Sequence, residues 1–277
     1  MPDHIAGPMP TYTTLKLDRR GPHLHVTLNR PDVRNALTEE MIRELLQVMD
    51  VIADDRAVRS VVLRGAGGTF CAGGDIKGFR ASFSTPAPAN GAPDPIVVNN
   101  RRFGSFMTRL NTLPQTVVAV VEGAAFGGGL GLVCAADVAI CHADTRFAIS
   151  ETGLGIPPAQ IAPFIVQRVG LTEARRLALT GIRFDGREAG RLGLVHYVCD
   201  DAASIERQLS DVLAHIARCA PDANAATKAI LLASTEQPLD HVLDNAAQAF
   251  AAALRGPEGR EGVAAFLEKR RPAWQQD

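Results

Sequence analysis

The sequence predicts an α/β core followed by a purely α-helical C-terminal region, and three observations carry that prediction. Two short apolar runs, SVVLRG (60–65) and TVVAVV (116–121), read as buried strands. Each continues through a glycine-rich turn into a helical stretch. From Asp201 onward the apolar spacing is helical only, with breaks at Pro221, Pro238 and Pro257.

The elements follow in order. HLHVTLNR (23–30) alternates, with Leu24, Val26 and Leu28 on one face of a strand. NRPDVRNAL is a loop, and Thr38 is placed to cap a helix whose first turn holds Glu39 and Glu40. Met41, Ile42, Leu45, Leu46, Met49 and Ile52 then recur at helical spacing. After the strand at 60–65, AGGTFCAGGDIKGF turns and opens a helix near Asp75. The prolines of 84–95 predict a loop, and a helix from about Ile96 to Leu113 follows it. The strand at 116–121 leads through EGAAFGGG into a helix ending near Ala135, and DVAICH is the next strand. Two helices are predicted near 158–169 and 172–180, and REAGRLGLVHYV reads as helix then strand. The division follows as 1–200 for the α/β core and 201–277 for the helical region.

The bulk numbers narrow the function. The chain has 277 residues and 46% hydrophobic content, enough for one sizeable core. A net charge of −1, without basic or aromatic tracts, speaks against nucleic acid as a partner. The longest glycine-rich uncharged stretch, 123–136, is too short to span a membrane. The N-terminal MPDHIAGPMPTYTT has no apolar core of a signal peptide. The five cysteines are Cys71, Cys134, Cys141, Cys199 and Cys219, with no CxxC pair. They predict reduced thiols in a cytoplasmic protein, with no metal site.

The two glycine turns, VVLRGAGGTFCAGGDI and VVAVVEGAAFGGGLGL, share a design of strand, glycines and helix. A helix N-terminus presents unpaired N–H groups and the positive end of its dipole. Glycine lets a ligand approach those groups closely. Two such turns side by side would aim two N–H donors at one oxygen, forming an oxyanion hole. Other glycine motifs fail: Gly129-Leu-Gly131-Leu-Val-Cys134 lacks the third glycine of a dinucleotide fingerprint, and neither a P-loop nor a G-x-S-x-G elbow occurs.

Five segments in this order resemble the enoyl-CoA hydratase/isomerase, or crotonase, family: LNRPDVRNALT (28–38), TFCAGGDIKGF (69–79), VEGAAFGGGLGLVCAADVAI (121–140), RFAISETGLGIPP (146–158) and GVAAFLEKRRPAW (262–274). The resemblance implies a spiral of ββα units with a C-terminal helical trimerisation region, assembled as a homotrimer or a dimer of trimers. It implies an acyl-CoA thioester as substrate and no separate cofactor. By its pattern the Gly74 and Gly128 N–H groups hold the thioester oxygen, and Gly74, Asp75, Ile76 and Lys77 line the CoA site. Val33 and Arg34 fall where the family touches CoA, and Phe266 and Lys269 where a neighbouring subunit's tail reaches the nucleotide end.

The resemblance also exposes a gap. Hydratases of the family carry one glutamate three residues after the middle glycine of the GGG turn, and that position is Gly131 here. The second position, four residues after the phenylalanine of RF, holds Glu151. Glu151 is thus the candidate acid–base group. Among the other polar candidates, Glu122, Asp75 and Asp137 read as structural, and His142 as a packed or exposed histidine. Cys71 and Cys134 read as small buried residues, Lys77 equally as a phosphate contact or a surface lysine. GIPPAQIAPFIVQRVG (155–170) resembles the methylglutaconyl-CoA and isohexenylglutaconyl-CoA hydratase branch, whose substrates are branched and carboxylated. A substrate carboxylate would then need Gln160 or an arginine. Three activities remain open: hydration of a 2-enoyl-CoA, double-bond isomerisation by one glutamate, and a catalytically weak acyl-CoA- or RNA-binding role.

Overall fold

The computed structural model describes residues 11–82, 84, 88 and 91–275. The first ten residues, and most of the predicted proline-rich loop between 83 and 90, lie outside the described residues.

The strands are β1 (Leu15–Arg20), β2 (His23–Leu28), β3 (Ser60–Gly65), β4 (Thr116–Val121), β5 (Ala124–Phe126), β6 (Val138–His142), β7 (Arg146–Ala148) and β8 (Tyr197–Cys199). The helices are α1 (Glu39–Ile52), α2 (Ile76–Ser82), α3 (Pro95–Asn111), α4 (Gly128–Ala135), α5 (Ala162–Thr180), α6 (Gly186–Arg191), α7 (Ala202–Arg218), α8 (Pro221–Ala233), α9 (Leu239–Arg255) and α10 (Pro257–Leu267). A six-stranded sheet runs in the order β1-β2-β3-β4-β6-β8, antiparallel at β1–β2 and parallel thereafter. A second, two-stranded parallel sheet pairs β5 with β7. The predicted α/β core with a C-terminal helical region is the architecture that forms.

β4 shows why its sequence is apolar throughout. Val117, Ala119 and Val121 join one buried cluster with α1 and α3 residues such as Met41, Leu45, Phe106 and Met107. Val118 and Val120 point to the opposite face, against Ile205, Leu209, Val212 and Ile216 of α7. A strand covered on both faces has no polar side to show. Thr38 caps α1 by accepting the Met41 N–H at 3.2 Å, a device worth about 1 kcal/mol.

Three strands carry no clear signature. β1 is an edge strand of sequence LKLDRR, and β5 and β7 span three residues each, fixed by pairing across the fold rather than by pattern. The break predicted between the helices at 158–169 and 172–180 forms at Gly170, whose φ 73° and ψ 162° are not helical and divide α5 into two helical segments. Pro221 and Pro257 begin α8 and α10, and Pro238 immediately precedes α9, as their fixed φ favours. No helix among the described residues is long and apolar enough to cross a membrane.

Candidate active site

The site lies where parallel strands end, the usual place for ligands in such sheets. β3 and β4 each run out into one of the glycine turns, and backbone bonds zip the turns together. Phe70 N–H donates to Glu122 O, Cys71 N–H to Ala124 O and Phe126 N–H to Cys71 O, all within 2.9–3.0 Å. The two candidate donors consequently come close. A methyl group built on Gly128 would lie 3.9 Å from Gly74 N, and one on Gly73 would lie 3.7 Å from Gly128 N. Neither the Gly74 nor the Gly128 N–H has an acceptor among the described residues. Gly128 opens α4, so its N–H is one that no helical carbonyl reaches.

Glu151 stands beside these donors. It precedes the short turn Thr152–Leu154 after β7, and its carboxylate lies over Gly127. Gly127 has φ +47°, and a methyl group there would sit 2.6 Å from Glu151 Oε1. Both facts require glycine at that position. The Gly127 N–H donates to Ala148 O at 3.0 Å, which ties the turn to the strand leading to Glu151. Glu151 Oε2 is buried without a hydrogen-bond partner among the described residues. Burial pushes the carboxyl above the ordinary carboxylate range, and the N–H groups of Glu151 and Ser150 offset part of that shift.

At Gly131 the structure supplies a physical reason for the missing acid. A methyl group there would fall 2.4 Å from Ile161 Cγ2 and 3.5 Å from Met107 Cε. The space that a longer side chain needs is filled by Ile161. Leu37 and Phe103 complete an apolar wall, 3.0 and 3.5 Å from a methyl group on Gly128. Motif spacing missed Leu37, Phe103, Met107 and Ile161, because apolar residues on separate elements leave no local pattern.

The loop 33–37 docks on the same turn. Ala72 N–H donates to Arg34 O, Leu37 N–H to Gly73 O and Asp75 N–H to Leu37 O, at 2.8–3.0 Å. Asn35, fully buried with φ 56°, bonds Arg30 N, Ala66 O and Thr69 O and locks the loop. Val33 and Arg34 therefore share a surface with Gly74, Asp75, Ile76 and Lys77, and Val33 and Ile76 are exposed. Asp75 Oδ1 accepts the Lys77 N–H at 3.0 Å, as a helix-opening aspartate does. Phe266 and Lys269 lie outside this cluster, exposed at the end of α10, with Lys269 N–H on Phe266 O.

The remaining candidates are structural. Asp137 accepts from Val117 N–H and from Lys228 Nζ, each at 2.7 Å. His142 Nδ1 accepts the Asp144 N–H. Burial pushes the Cys71 and Cys134 thiols up to about 12, so neither is a thiolate nucleophile near neutral pH.

Known proteins resemble this chain along nearly its whole length. Residues 23–277 match the family model for enoyl-CoA hydratase/isomerase. Pseudomonas aeruginosa AtuE is 53% identical, with a TM-score of 0.91, over 95% of this chain and 100% of its own. An enoyl-CoA hydratase/isomerase from Marinobacter aquaeolei is 48% identical, also with a TM-score of 0.91, over 95% of this chain and 99% of its own. A peroxisomal Delta(3,5)-Delta(2,4)-dienoyl-CoA isomerase of Arabidopsis thaliana is 31% identical over 95% of this chain and 98% of its own.

Proposed function

The chain belongs to the enoyl-CoA hydratase/isomerase family, and from that premise we propose that it adds water across the 2,3-double bond of a branched, carboxylated enoyl-CoA. Membership makes it an enzyme of hydratase/isomerase chemistry on an acyl-CoA thioester. In the proposed reaction the Gly74 and Gly128 N–H groups donate to the thioester oxygen. Glu151 takes a proton from a water molecule, and the resulting hydroxide adds to C3. The displaced electron pair moves onto the thioester oxygen, giving an enolate that the two donors stabilise. Each such donor is worth about 3 kcal/mol. Glu151 then returns its proton to C2, so one carboxylate completes the cycle.

The observation that carries this reading is the Glu151 carboxylate, with one oxygen unbonded and its pKa raised, over the residue next to Gly128. The single carboxylate equally suits a proton shuttle between C4 and C2, so isomerisation is the second reading. The Arabidopsis relative, an isomerase by name, favours it. A catalytically weak acyl-CoA- or RNA-binding role would show binding without turnover.

The carboxylated branch of substrates rests on a polar cluster beside the apolar wall. Gln160 Nε2 donates to Asn100 Oδ1 at 2.9 Å, and its amide sits in the notch left by Gly104. The Arg101 guanidinium borders the same notch and bonds the Ser105 hydroxyl. Arg101 has no carboxylate partner among the described residues, so its charge is available to a substrate carboxylate. The CoA moiety would run over Val33, Arg34 and Asp75–Lys77. Residues 201–277 would build a homotrimer or dimer of trimers, bringing a neighbour's Phe266 and Lys269 to the nucleotide end.

Mass spectrometry in heavy-oxygen water tests the reading, with crotonyl-CoA, 3-methylglutaconyl-CoA and a 3-enoyl-CoA as substrates. The expected product is a heavy-oxygen 3-hydroxyacyl-CoA, formed fastest from the carboxylated substrate. A shifted double bond without added oxygen would replace hydration by isomerisation.

A further inference from the structure

α4 is a weak helix by composition. Its eight residues, GGLGLVCA, are all buried and include three glycines, and its N-cap, Gly127, offers no side-chain bond. Each interior glycine costs roughly 0.5–1 kcal/mol of helix stability relative to alanine. Its position is therefore set by what holds it from outside.

α5 and the residue before it hold α4 at two places along one stripe. Ile161, Ile165 and Arg168 recur at i, i+4 and i+7, one face of a helix. Ile161 and Ile165 are each 2% exposed, and Ile161 packs on Gly131. Arg168 reaches the far end of α4. Its Nη2 donates to Val133 O at 3.1 Å and to Cys134 O at 3.0 Å, and also to Ala136 O; Nε donates to Cys134 O at 3.3 Å. These carbonyls belong to the last turn and the cap residue, where helical N–H partners run out; of the three, Val133 O also accepts the Ala136 N–H, at 3.3 Å. The cation also sits at the negative end of the helix dipole, the favourable end for it.

His196 frames the guanidinium without sharing a proton with it. Its Nδ1 accepts the Ala139 N–H at 3.0 Å, so in a neutral ring Nε2 carries the hydrogen. The 3.4 Å approach of Arg168 Nη1 to Nε2 is therefore a contact rather than a hydrogen bond.

We propose that Arg168 is a positioning residue for the oxyanion hole: by clamping the carbonyl end of α4 it fixes where the Gly128 N–H points. The inference rests on the proposed function in one respect, that the Gly128 N–H receives the thioester oxygen. The polar contacts of Arg168 run to Val133, Cys134, Ala136 and His196, at the end of α4 away from Gly128 and Glu151. Its loss would leave the CoA surface and the base in place and loosen one donor. The effect should fall on kcat and on polarisation of the bound carbonyl more than on KM.

The test uses 2,4-hexadienoyl-CoA, a conjugated thioester whose absorption moves to longer wavelength when its carbonyl oxygen accepts strong hydrogen bonds. Wild type is expected to shift it to the red. Arg168→Met is expected to lose most of that shift and about tenfold or more in kcat, part of the 10²–10³ that one whole donor supplies. KM should stay within about threefold, because the donor's bond to the carbonyl oxygen is weaker in the bound ground state than in the enolate-like transition state. Arg168→Lys, which keeps the charge but not the fork, is expected to fold and fall between the two. It gives the same reading if Arg168→Met fails to fold. Leu209→Ala, in the apolar cluster on the other face of the sheet, controls for general destabilisation and is expected to keep the full shift. A full red shift and unchanged kcat in folded Arg168→Met would overturn the inference and leave the proposed function standing. No red shift in wild type would overturn the oxyanion hole itself.

Discussion

Glu151 and Gly131 pose opposite problems of a carboxylate in a confined space. Glu151 is placed where its charged form is disfavoured, so the folded state binds its proton more tightly than the unfolded chain does, whose glutamate titrates near ~4.3. Above that pH the ionised group weakens the fold, and the penalty fades as pH falls through the folded value towards the unfolded one. Glu151→Gln is therefore expected to melt higher than wild type at pH 7, with the gap closing near pH 4. It should also lose about 10²–10⁴ in kcat, the usual worth of an acid–base group. The acid limb of kcat/KM in wild type should lie above the ordinary carboxylate range. Equal melting temperatures at pH 7 would contradict the buried, unpartnered carboxylate. At Gly131 the obstacle is Ile161. Gly131→Glu is expected to lower stability by about 3 kcal/mol or more, because a carboxylate is forced into an apolar, filled site. Adding Ile161→Ala should raise the melting temperature of that variant, although Ile161→Ala alone costs about 2–5 kcal/mol. Thermal unfolding of the four chains measures the coupling.

Among the elements, legibility in the sequence followed how local the determining force was. β3, β4 and α1 were readable because a run of buried residues or a capped amphipathic pattern lies within one segment. β5 and β7 were not, because three residues such as AAF become a strand only when a partner arrives. The same holds at the site. The neighbourhood of Glu151 and the glycine turns was readable from motifs. The filling of the Gly131 space by Ile161, some thirty residues away in sequence, was not. α3 offers a prediction of this non-local kind. Its Gly104 lies in the middle of a helix, where alanine would add roughly 0.5–1 kcal/mol. A methyl group there would meet Gln160 Oε1 at 1.9 Å, the far end of a flexible side chain. Gln160 should swing away and give up its bond to Asn100, worth about 1 kcal/mol. Gly104→Ala is thus expected to leave stability within about 1 kcal/mol of wild type. If the cluster holds a substrate carboxylate, KM for 3-methylglutaconyl-CoA should rise about tenfold, the scale of one charged hydrogen bond, with crotonyl-CoA unchanged. Equal effects on both substrates would remove the cluster from recognition.

The whole molecule carries more apolar surface than one chain can cover. α9 turns Val242 inward while Leu239, Leu243, Phe250 and Leu254 stand 50–68% exposed along its outer side. Leu231 of α8 and Val263, Phe266 and Leu267 of α10 are similarly open. A helix apolar on both sides is built to be covered on both, and an exposed patch of this kind marks an interface. Further copies of this chain are the proposed occupants. Phe250→Glu places a charge in the middle of the α9 stripe without touching the chain's own core, so the protomer should still fold. Sedimentation velocity is expected to show a trimer or hexamer for wild type and a monomer for the variant. If a neighbour's Phe266 and Lys269 reach the CoA nucleotide, the monomer should also show a raised KM for acyl-CoA substrates, while kcat, which the proposed mechanism assigns to Glu151 and the two glycine donors within one chain, changes less. A wild-type chain that sediments as a monomer with full activity would refute the assembly and leave the chemistry of the single site intact.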